Sequence, residues 1–418
     1  MIDGDTDILS VVRSQFHAAP PSRLGVAVSG GGDSVALLHI LSRCLDTSAV
    51  DIRAVTVDHG LRPEAADEAA QVAALAGRLG LSHTTLRWQG WDGQGNLQAA
   101  AREARYALIC DWARQNGIAL VALGHTADDQ AETVLMRLGR SAGVDGLAGI
   151  PARRTMHGVS LLRPVLGLTR QELRDYLGRN GVTWCEDPSN DDSRYDRVQA
   201  RSILAALAPL GVTTEGLAAI AGYMGEAREA LDWYSFLTAR DIALVNSGDV
   251  ILDLRRFRTL PQDIARRLLQ RAVMWVGQAD YPPRRAAMAQ AIDGLRHGRG
   301  ATLGGCRILV VDGSIWICRE YAVVRDMVVA PGQPWDGRWT LIGPVMQDGL
   351  TIAPLGRNGL AQVPDWRSSG RPHGALMASP AVWCGDTLVA APLAGMANGW
   401  RAELQESAEA FFAALLSN

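Results

Sequence analysis

The chain contains no lysine; all 41 of its basic side chains are arginine. A Walker A phosphate loop needs a lysine to reach the phosphates, so that loop is excluded, and no lysine is present to act as nucleophile or Schiff base. Cysteine is sparse as well. Cys44, Cys110, Cys185, Cys306, Cys318 and Cys384 include no Cys-x-x-Cys pair. This argues against a zinc ribbon, a redox dithiol or an iron–sulfur site, and so few cysteines make no disulfide scaffold in a chain of this length. No apolar run of ~18 residues free of charge occurs, so no membrane-spanning helix is expected. The first ten residues carry Asp3, Asp5 and Asp7, the opposite of a signal peptide's charge, and the expected location is the cytoplasm.

What is present fits an ordinary globular chain. Hydrophobic residues make up 48% and charged residues 20% of 418, and the length suggests two or three domains. The formal net charge of −3 conceals an asymmetry. Residues 1–150 hold 12 Arg against 17 Asp and Glu, whereas residues 255–319 hold 12 Arg against four Asp. A basic block beside an acidic one suits a polyanionic partner gripped by one part while another performs chemistry. An Arg-rich solvated helix face explains the charge alone equally well.

The first half alternates strands and helices. Leu24 to Val28 is a short apolar strand ending in glycines, and Val35 to Leu41 reads as a buried helix. Ile52–Val57, Ser82–Trp88 and Ile118–Leu123 read as further strands, and Pro63–Leu79, Gln94–Gln115 and Asp128–Leu138 as helices. Such alternation implies βαβ units and a largely parallel sheet, whose ligands sit beyond the C-terminal strand ends. Further on, Leu204–Leu231 and Pro261–Val276 read as helices. Short strands follow over Ala301–Val329, with turns at Gly304-Gly305 and Asp312-Gly313. From Ala330 the chain is rich in Gly, Pro and Trp and reads as short β elements and loops.

Ser29-Gly30-Gly31-Gly32-Asp33-Ser34 stands between the first strand and first helix. Glycines let backbone N–H groups approach a phosphate, and the helix start adds unpaired N–H groups and a positive dipole end. Ser29 and Ser34 offer hydroxyls. Asp33 would repel a bare phosphate; a Mg²⁺ bridging it to phosphate oxygens resolves the conflict. A capped Gly-rich turn is the plain structural alternative, and the full six-residue string after a strand favours function.

This string resembles the S-G-G-x-D-S loop of the N-type ATP pyrophosphatase (PP-loop) superfamily, whose members adenylate a substrate and release pyrophosphate. Further motifs narrow the resemblance. They are Val57-Asp58-His59-Gly60-Leu61-Arg62-Pro63, Ala101-Arg102-Glu103-Ala104-Arg105-Tyr106, and Gly124-His125-Thr126-Ala127-Asp128-Asp129-Gln130-Ala131-Glu132-Thr133, the last running on to Gly146–Ile150. Asp187-Pro188-Ser189-Asn190, Tyr195-Asp196-Arg197 and Arg201 extend the match to about residue 201. Together these resemble the tRNA(Ile)-lysidine synthetase family over nearly half the chain, and residues 255–325 resemble its tRNA-binding region more loosely.

The resemblance implies a Rossmann-like parallel sheet of the N-type ATP pyrophosphatase kind, then a helical region and a small mixed α/β C-terminal region. The expected divisions are 1–205 catalytic, 206–328 tRNA-binding, and 329–418 β-rich without an assigned role. The resemblance implies ATP at Ser29, Gly30, Gly31, Gly32, Asp33 and Ser34, with Mg²⁺ on Asp33. The substrates implied are free L-lysine and the isoleucine tRNA with a CAU anticodon, held by a monomer or homodimer.

Asp128, Asp129 and Glu132 gather at one helix start, where one or two acids would satisfy the dipole. A third fits a cationic substrate or Mg²⁺. His125 either bonds a phosphate, shuttles a proton, or is a satisfied loop histidine; His59 is a weaker candidate. Arg102 and Arg105 share a helix edge, and Arg197 and Arg201 are four apart; guanidinium suits phosphate or a developing oxyanion. The catalytic set implied is Asp33, His125, Asp129, Glu132 and Arg201, with Arg102, Arg105, Asp128 and Arg197 added for substrates. Val198 stands where the family usually has Asn, and no Gly-Gly-Glu motif occurs near the C-terminus. The alternatives are a PP-loop thiolase, which usually wants paired cysteines, and a silent nucleotide- or RNA-binding module, which needs no carboxylate trio.

Overall fold

Period-two burial along the central strands sets the architecture of the first half. In the computed structural model, Leu120 and Ala122 join one buried cluster while Val121 and Leu123 join another. Apolar side chains alternating to both faces belong to a sheet covered by helices on each side. The structure describes residues 4–16, 20–60, 64–89, 91, 95–186, 196–279, 281–344 and 349–416. Leu61-Arg62-Pro63, Asp187-Pro188-Ser189-Asn190 and Tyr195 of the motifs above, and Asp280 of the basic block, lie outside the described residues.

The chain divides into two compact units, Met1–Arg228 and Glu229–Asn418. The first contains α1 (Gly4–Ser14), β1 (Arg23–Ala27), α2 (Gly32–Cys44), β2 (Asp51–Asp58), α3 (Ala65–Arg78), β3 (Ser82–Arg87), α4 (Leu97–Gln115), β4 (Leu120–Leu123), α5 (Ala127–Leu138), α6 (Val144–Leu147), β5 (Arg153–Met156), β6 (Val159–Leu162), α7 (Arg170–Arg179) and α8 (Asp196–Leu207). α9 (Thr214–Ile242) runs through the boundary. The sheet order is β3-β2-β1-β4-β6-β5, parallel except for the antiparallel edge strand β5. The chain order reverses between β1 and β4, so the loops after these two strands face each other across a topological switch point, where open α/β sheets bind ligands. The expected largely parallel sheet is present.

One helix of the sequence reading differs. Leu204–Leu231 is interrupted: α8 ends at Leu207, a 3-10 turn spans Ala208–Leu210, and Gly211 adopts φ +80° before α9 begins. Pro209 and a left-handed glycine stop the first helix, an effect that Ala- and Leu-rich composition masks. α9 then continues past Leu231 to Ile242.

In the second unit, β7 (Ala243–Asn246), β8 (Asp249–Asp253), β9 (Ala301–Leu303), β10 (Cys306–Val311) and β11 (Ser314–Arg319) form an antiparallel sheet ordered β7-β8-β11-β10-β9. Phe257, Leu268, Leu269, Ile292, Ile308 and Ile317 lie in its core with α10 (Leu254–Arg258), α11 (Gln262–Gly277) and α12 (Arg285–Arg296). The turns expected at Gly304-Gly305 and Asp312-Gly313 hold positive φ at all four residues. Beyond them lie β12 (Trp339–Ile342), β13 (Leu350–Pro354), β14 (Pro380–Cys384), β15 (Thr387–Ala390) and β16 (Arg401–Leu404), in a three-stranded and a two-stranded sheet around Trp335, Trp339 and Trp400. Among the described residues no single helix is long and apolar enough to cross a membrane.

Candidate active site

The loop from β1 into α2 is built as an anion cradle. Gly30 takes φ +92°, which L side chains rarely adopt, and Gly31 precedes the first turn of α2 without a capping side chain. The first amides of α2 therefore have no side-chain acceptor at the cap and present the dipole's positive end. The two serines brace this turn from within. Ser29 N donates to Ser34 Oγ at 3.1 Å, and Ser34 Oγ donates to Gly31 O at 2.9 Å. A parallel bridge from Gly31 to Cys185, with Cys185 N donating to Gly30 O at 3.0 Å, ties the loop to the segment before Glu186. From across the switch point Gly124 presses on the loop. A Cβ there would lie 2.9 Å from Ser34 Cα and 3.1 Å from Ser34 N, both backbone atoms.

The loop after β4 brings the second motif to the same end of the sheet. Thr126 and Asp129 form a capping box at the start of α5, with Thr126 N donating to Asp129 Oδ2 at 2.8 Å. Asp128 Oδ2 accepts from Arg170 N at 2.7 Å. Two of the three carboxylates thus spend an oxygen on a helix start. Glu132 does not; it is 1% exposed, and its Oε1 faces Arg201 Nε at 2.6 Å and Arg170 Nη2 at 3.7 Å. Its Oε2 is buried without a hydrogen-bond partner among the described residues, an uncommon and costly state for a carboxylate oxygen.

Arginines answer each acid. Arg197 Nη1 lies 3.5 Å from Asp129 Oδ1, and Arg170 Nε donates to Asp33 Oδ2 at 3.2 Å. Burial above all raises the Asp33 carboxyl, Arg170 opposes it, and Asp129 and Asp128 raise it further. Burial would lower Arg170, but Asp33, Asp129, Asp128 and Glu132 together hold it above its ordinary value. His125 sits beside Arg163, Arg102 and Arg197; burial foremost, and those cations, push it down to about 4 against the pull of Asp129. It is neutral at pH 7, and its Nδ1 is buried without a partner among the described residues. Arg102 stacks over the Tyr106 ring at 5.3 Å and donates to its hydroxyl at 3.2 Å. Arg105, on the same helix, is lowered by burial of its guanidinium foremost and then by the charges of Arg102 and Arg197, against the pull of Tyr106.

The structure thus brings Asp33, His125, Asp128, Asp129, Glu132, Arg197 and Arg201 into one connected constellation, with Arg102 and Arg105 beside it. His59 packs edge-on against Trp88 and is lowered by burial and by Arg105, against Asp58. Sequence reasoning missed Arg163 and Arg170. Arg163 is 4% exposed and donates to Pro151 O at 2.7 Å; its position just after β6, a strand end, was the available signal. Arg170 follows Thr169, which forms a capping box with Glu172. That T-x-x-E pattern marks a helix start and places Arg170 at its first residue.

The sequence points to Arg266, Arg267 and Arg271 as the basic block's RNA contacts, and the structure engages the first two within the fold. Arg267, with a side chain 9% exposed, is paired with Asp232 at 2.6 Å and Asp263 at 2.7 Å, and Arg266 with Asp263 at 2.6 Å. These serve the fold of the second unit. Arg255, Arg258, Arg284, Arg285 and Arg307 are exposed, and no acid among the described residues pairs with them.

A model of the PP-loop domain matches residues 6–207. The first unit is therefore an N-type ATP pyrophosphatase domain, and ATP is its nucleotide substrate. The chain is 58% identical over 415 residues to the tRNA(Ile)-lysidine synthase of Ruegeria pomeroyi, covering 99% of both chains. It is 34% identical to the tRNA(Ile)-lysidine synthase of Wolbachia pipientis wMel, covering 80% of each. It is 40% identical to that of Novosphingobium aromaticivorans, covering 71% of this chain and 88% of the relative. The chain belongs to the tRNA(Ile)-lysidine synthase family and is an enzyme of the ligase class.

Proposed function

We propose that this enzyme joins free L-lysine to C2 of the wobble cytidine of the CAU-anticodon isoleucine tRNA, at the expense of ATP. The cytosine O2 attacks the α-phosphorus of ATP and pyrophosphate leaves. The lysine ε-amine then attacks the adenylated C2, AMP leaves, and lysidine remains. The observation that carries this reading is the buried Oε2 of Glu132, which has no partner among the described residues. A cation with hydrogens to donate satisfies it, and an alkylammonium is such a cation.

Each residue has a role in this scheme. The amides of residues 30–32 hold the departing phosphates where negative charge grows. Asp129 and Asp128 hold the first turn of α5, and with it Glu132, in place. Glu132 binds the lysine amine and accepts its proton. Neutral His125 donates a hydrogen bond to a phosphate oxygen, and Arg197, Arg201, Arg102 and Arg105 meet phosphate and the developing oxyanion. Magnesium would be held by Asp33, in the first turn of α2 beside the glycine loop, together with substrate phosphates and water, since the ion takes one or two carboxylates and keeps the rest of its shell from those. When bound it neutralises charge on the pyrophosphate.

The cytidine must be unstacked to reach this pocket, so contacts far from the chemistry position the tRNA. We assign 1–205 to catalysis and 206–328 to tRNA binding, with Arg255, Arg258, Arg284 and Arg285 as phosphate contacts. The decisive assay supplies radiolabelled lysine, ATP and a panel of tRNA transcripts. Label enters the CAU isoleucine transcript alone, and Asp33→Asn abolishes transfer while tRNA retention persists. Label entering no transcript while ATP is turned over would overturn the reading.

A further inference from the structure

Among the described residues one guanidinium, that of Arg170, touches both Asp33 and Glu132. Its Nε is 3.2 Å from Asp33 Oδ2 and its Nη2 3.7 Å from Glu132 Oε1. On the proposed function these carboxylates serve the nucleotide's metal and the lysine amine, so one cation of the protein neutralises both carboxylates that the substrates' cations must meet, reaching Glu132 on the Oε1 side while Oε2 faces the amine. The side chain is 21% exposed, against 23% for Asp33 and 1% for Glu132. Without it the pocket would hold carboxylates short of charge compensation in a poorly hydrated place.

We propose that Arg170 is a resident placeholder for the substrates' positive charge, and that its displacement couples the binding of magnesium-ATP to that of lysine. The inference rests on the assignment of Asp33 and Glu132 made above. Three features favour displacement of the side chain alone. Its contacts are long beside the 2.6 Å pairing of Arg201 with Glu132. Its backbone is pinned, because Arg170 N donates to Asp128 Oδ2 at 2.7 Å and the Thr169–Glu172 capping box fixes the start of α7. A divalent ion at Asp33 would also repel a guanidinium a few ångströms away. The first substrate bears the cost of moving Arg170, and the second finds its carboxylate relieved of that charge, with Arg201 still on Oε1 of Glu132. The result is positive cooperativity, reciprocal by linkage.

Equilibrium dialysis of radiolabelled L-lysine against the full chain, with and without Mg²⁺ and α,β-methylene-ATP, tests this. In the wild type the saturating analogue should lower the lysine Kd by at least about fivefold, the low end of common couplings. In Arg170→Gln lysine alone should bind more tightly, and the analogue's effect should shrink below about twofold. Arg170→Lys, whose single ammonium cannot span both carboxylates, should also lose coupling and serves if the glutamine variant does not fold. Wild-type coupling in either folded variant, or none in the wild type, overturns the placeholder. Glu132→Gln separates the two layers. If it binds lysine as the wild type does, the assignment of Glu132 fails and the placeholder with it. If it loses lysine while the Arg170 variants keep full coupling, only the placeholder fails.

Discussion

Arg201 and Glu132 meet at 2.6 Å across the faces of α8 and α5, and the acid is buried while the base is 33% exposed. The pair joins the catalytic sheet's α5 to a helix that follows the Asp-Pro-Ser-Asn motif. Breaking a buried pair costs ~3–5 kcal/mol; partial exposure of Arg201 and the second guanidinium at 3.7 Å reduce that. Arg201→Met should destabilise the chain by about 2 kcal/mol, read as a lower urea midpoint. Adding Glu132→Gln should restore part of the loss, and a purely additive double variant would contradict the pairing.

His125 makes stability depend on pH. The unfolded chain takes up a proton near the ordinary imidazole value of 6.5, whereas the folded chain resists until about 4. The histidine's contribution is therefore present above 6.5 and is lost as pH falls from 6.5 towards 4, amounting to on the order of 2–3 kcal/mol. Denaturant titrations at pH 7.5 and 4.5 check this; His125→Gln should show a shallower fall, and an equal fall in both proteins would count against a buried neutral imidazole.

Gly124 is tested by one methyl group. Gly124→Ala places a Cβ 2.9 Å from Ser34 Cα, and the obstacle is backbone that cannot rotate aside. The phosphate loop must shift, and ATP should bind about tenfold more weakly, a loss of ~1.4 kcal/mol. Equilibrium binding of an ATP analogue to folded protein measures it, and unchanged affinity would mean the loop tolerates the push.

The two kinds of arginine in the second unit should behave differently. Arg284→Gln with Arg285→Gln should weaken tRNA binding and lower its salt slope by about 0.7–0.9 for each phosphate no longer neutralised. Arg267→Gln removes a partner of Asp232 and should lower the urea midpoint instead. A salt slope changed only by the Arg267 variant would reverse this assignment.

The sheet and phosphate loop are legible in the sequence because their signals are local: apolar runs ending in glycine, helices at regular spacing, and acids at a helix start. Arg170 is not legible there. It lies 137 residues from Asp33 and becomes relevant only when α7 packs beside the switch point. The fold role of Arg267 is hidden for the same reason, since its partner Asp232 lies on α9, outside the window in which the basic block is counted. Asp128 and Asp129 look like free carboxylates in the sequence because the acceptor work of helix starts depends on which backbone N–H groups arrive, and one of these belongs to Arg170.

Among the described residues the three cations that touch the site's carboxylates, Arg170, Arg197 and Arg201, are guanidiniums. On the proposed chemistry the adenylated base is an electrophile waiting for an amine. A side-chain ammonium at any of these positions would be a competitor already in place, able to trap the activated tRNA as a covalent adduct. Guanidinium supplies the same charge, stays protonated at any working pH and does not attack carbon. The pocket neutralises its acids with groups that cannot be mistaken for the substrate, and the tRNA leaves carrying the free amino acid rather than the enzyme.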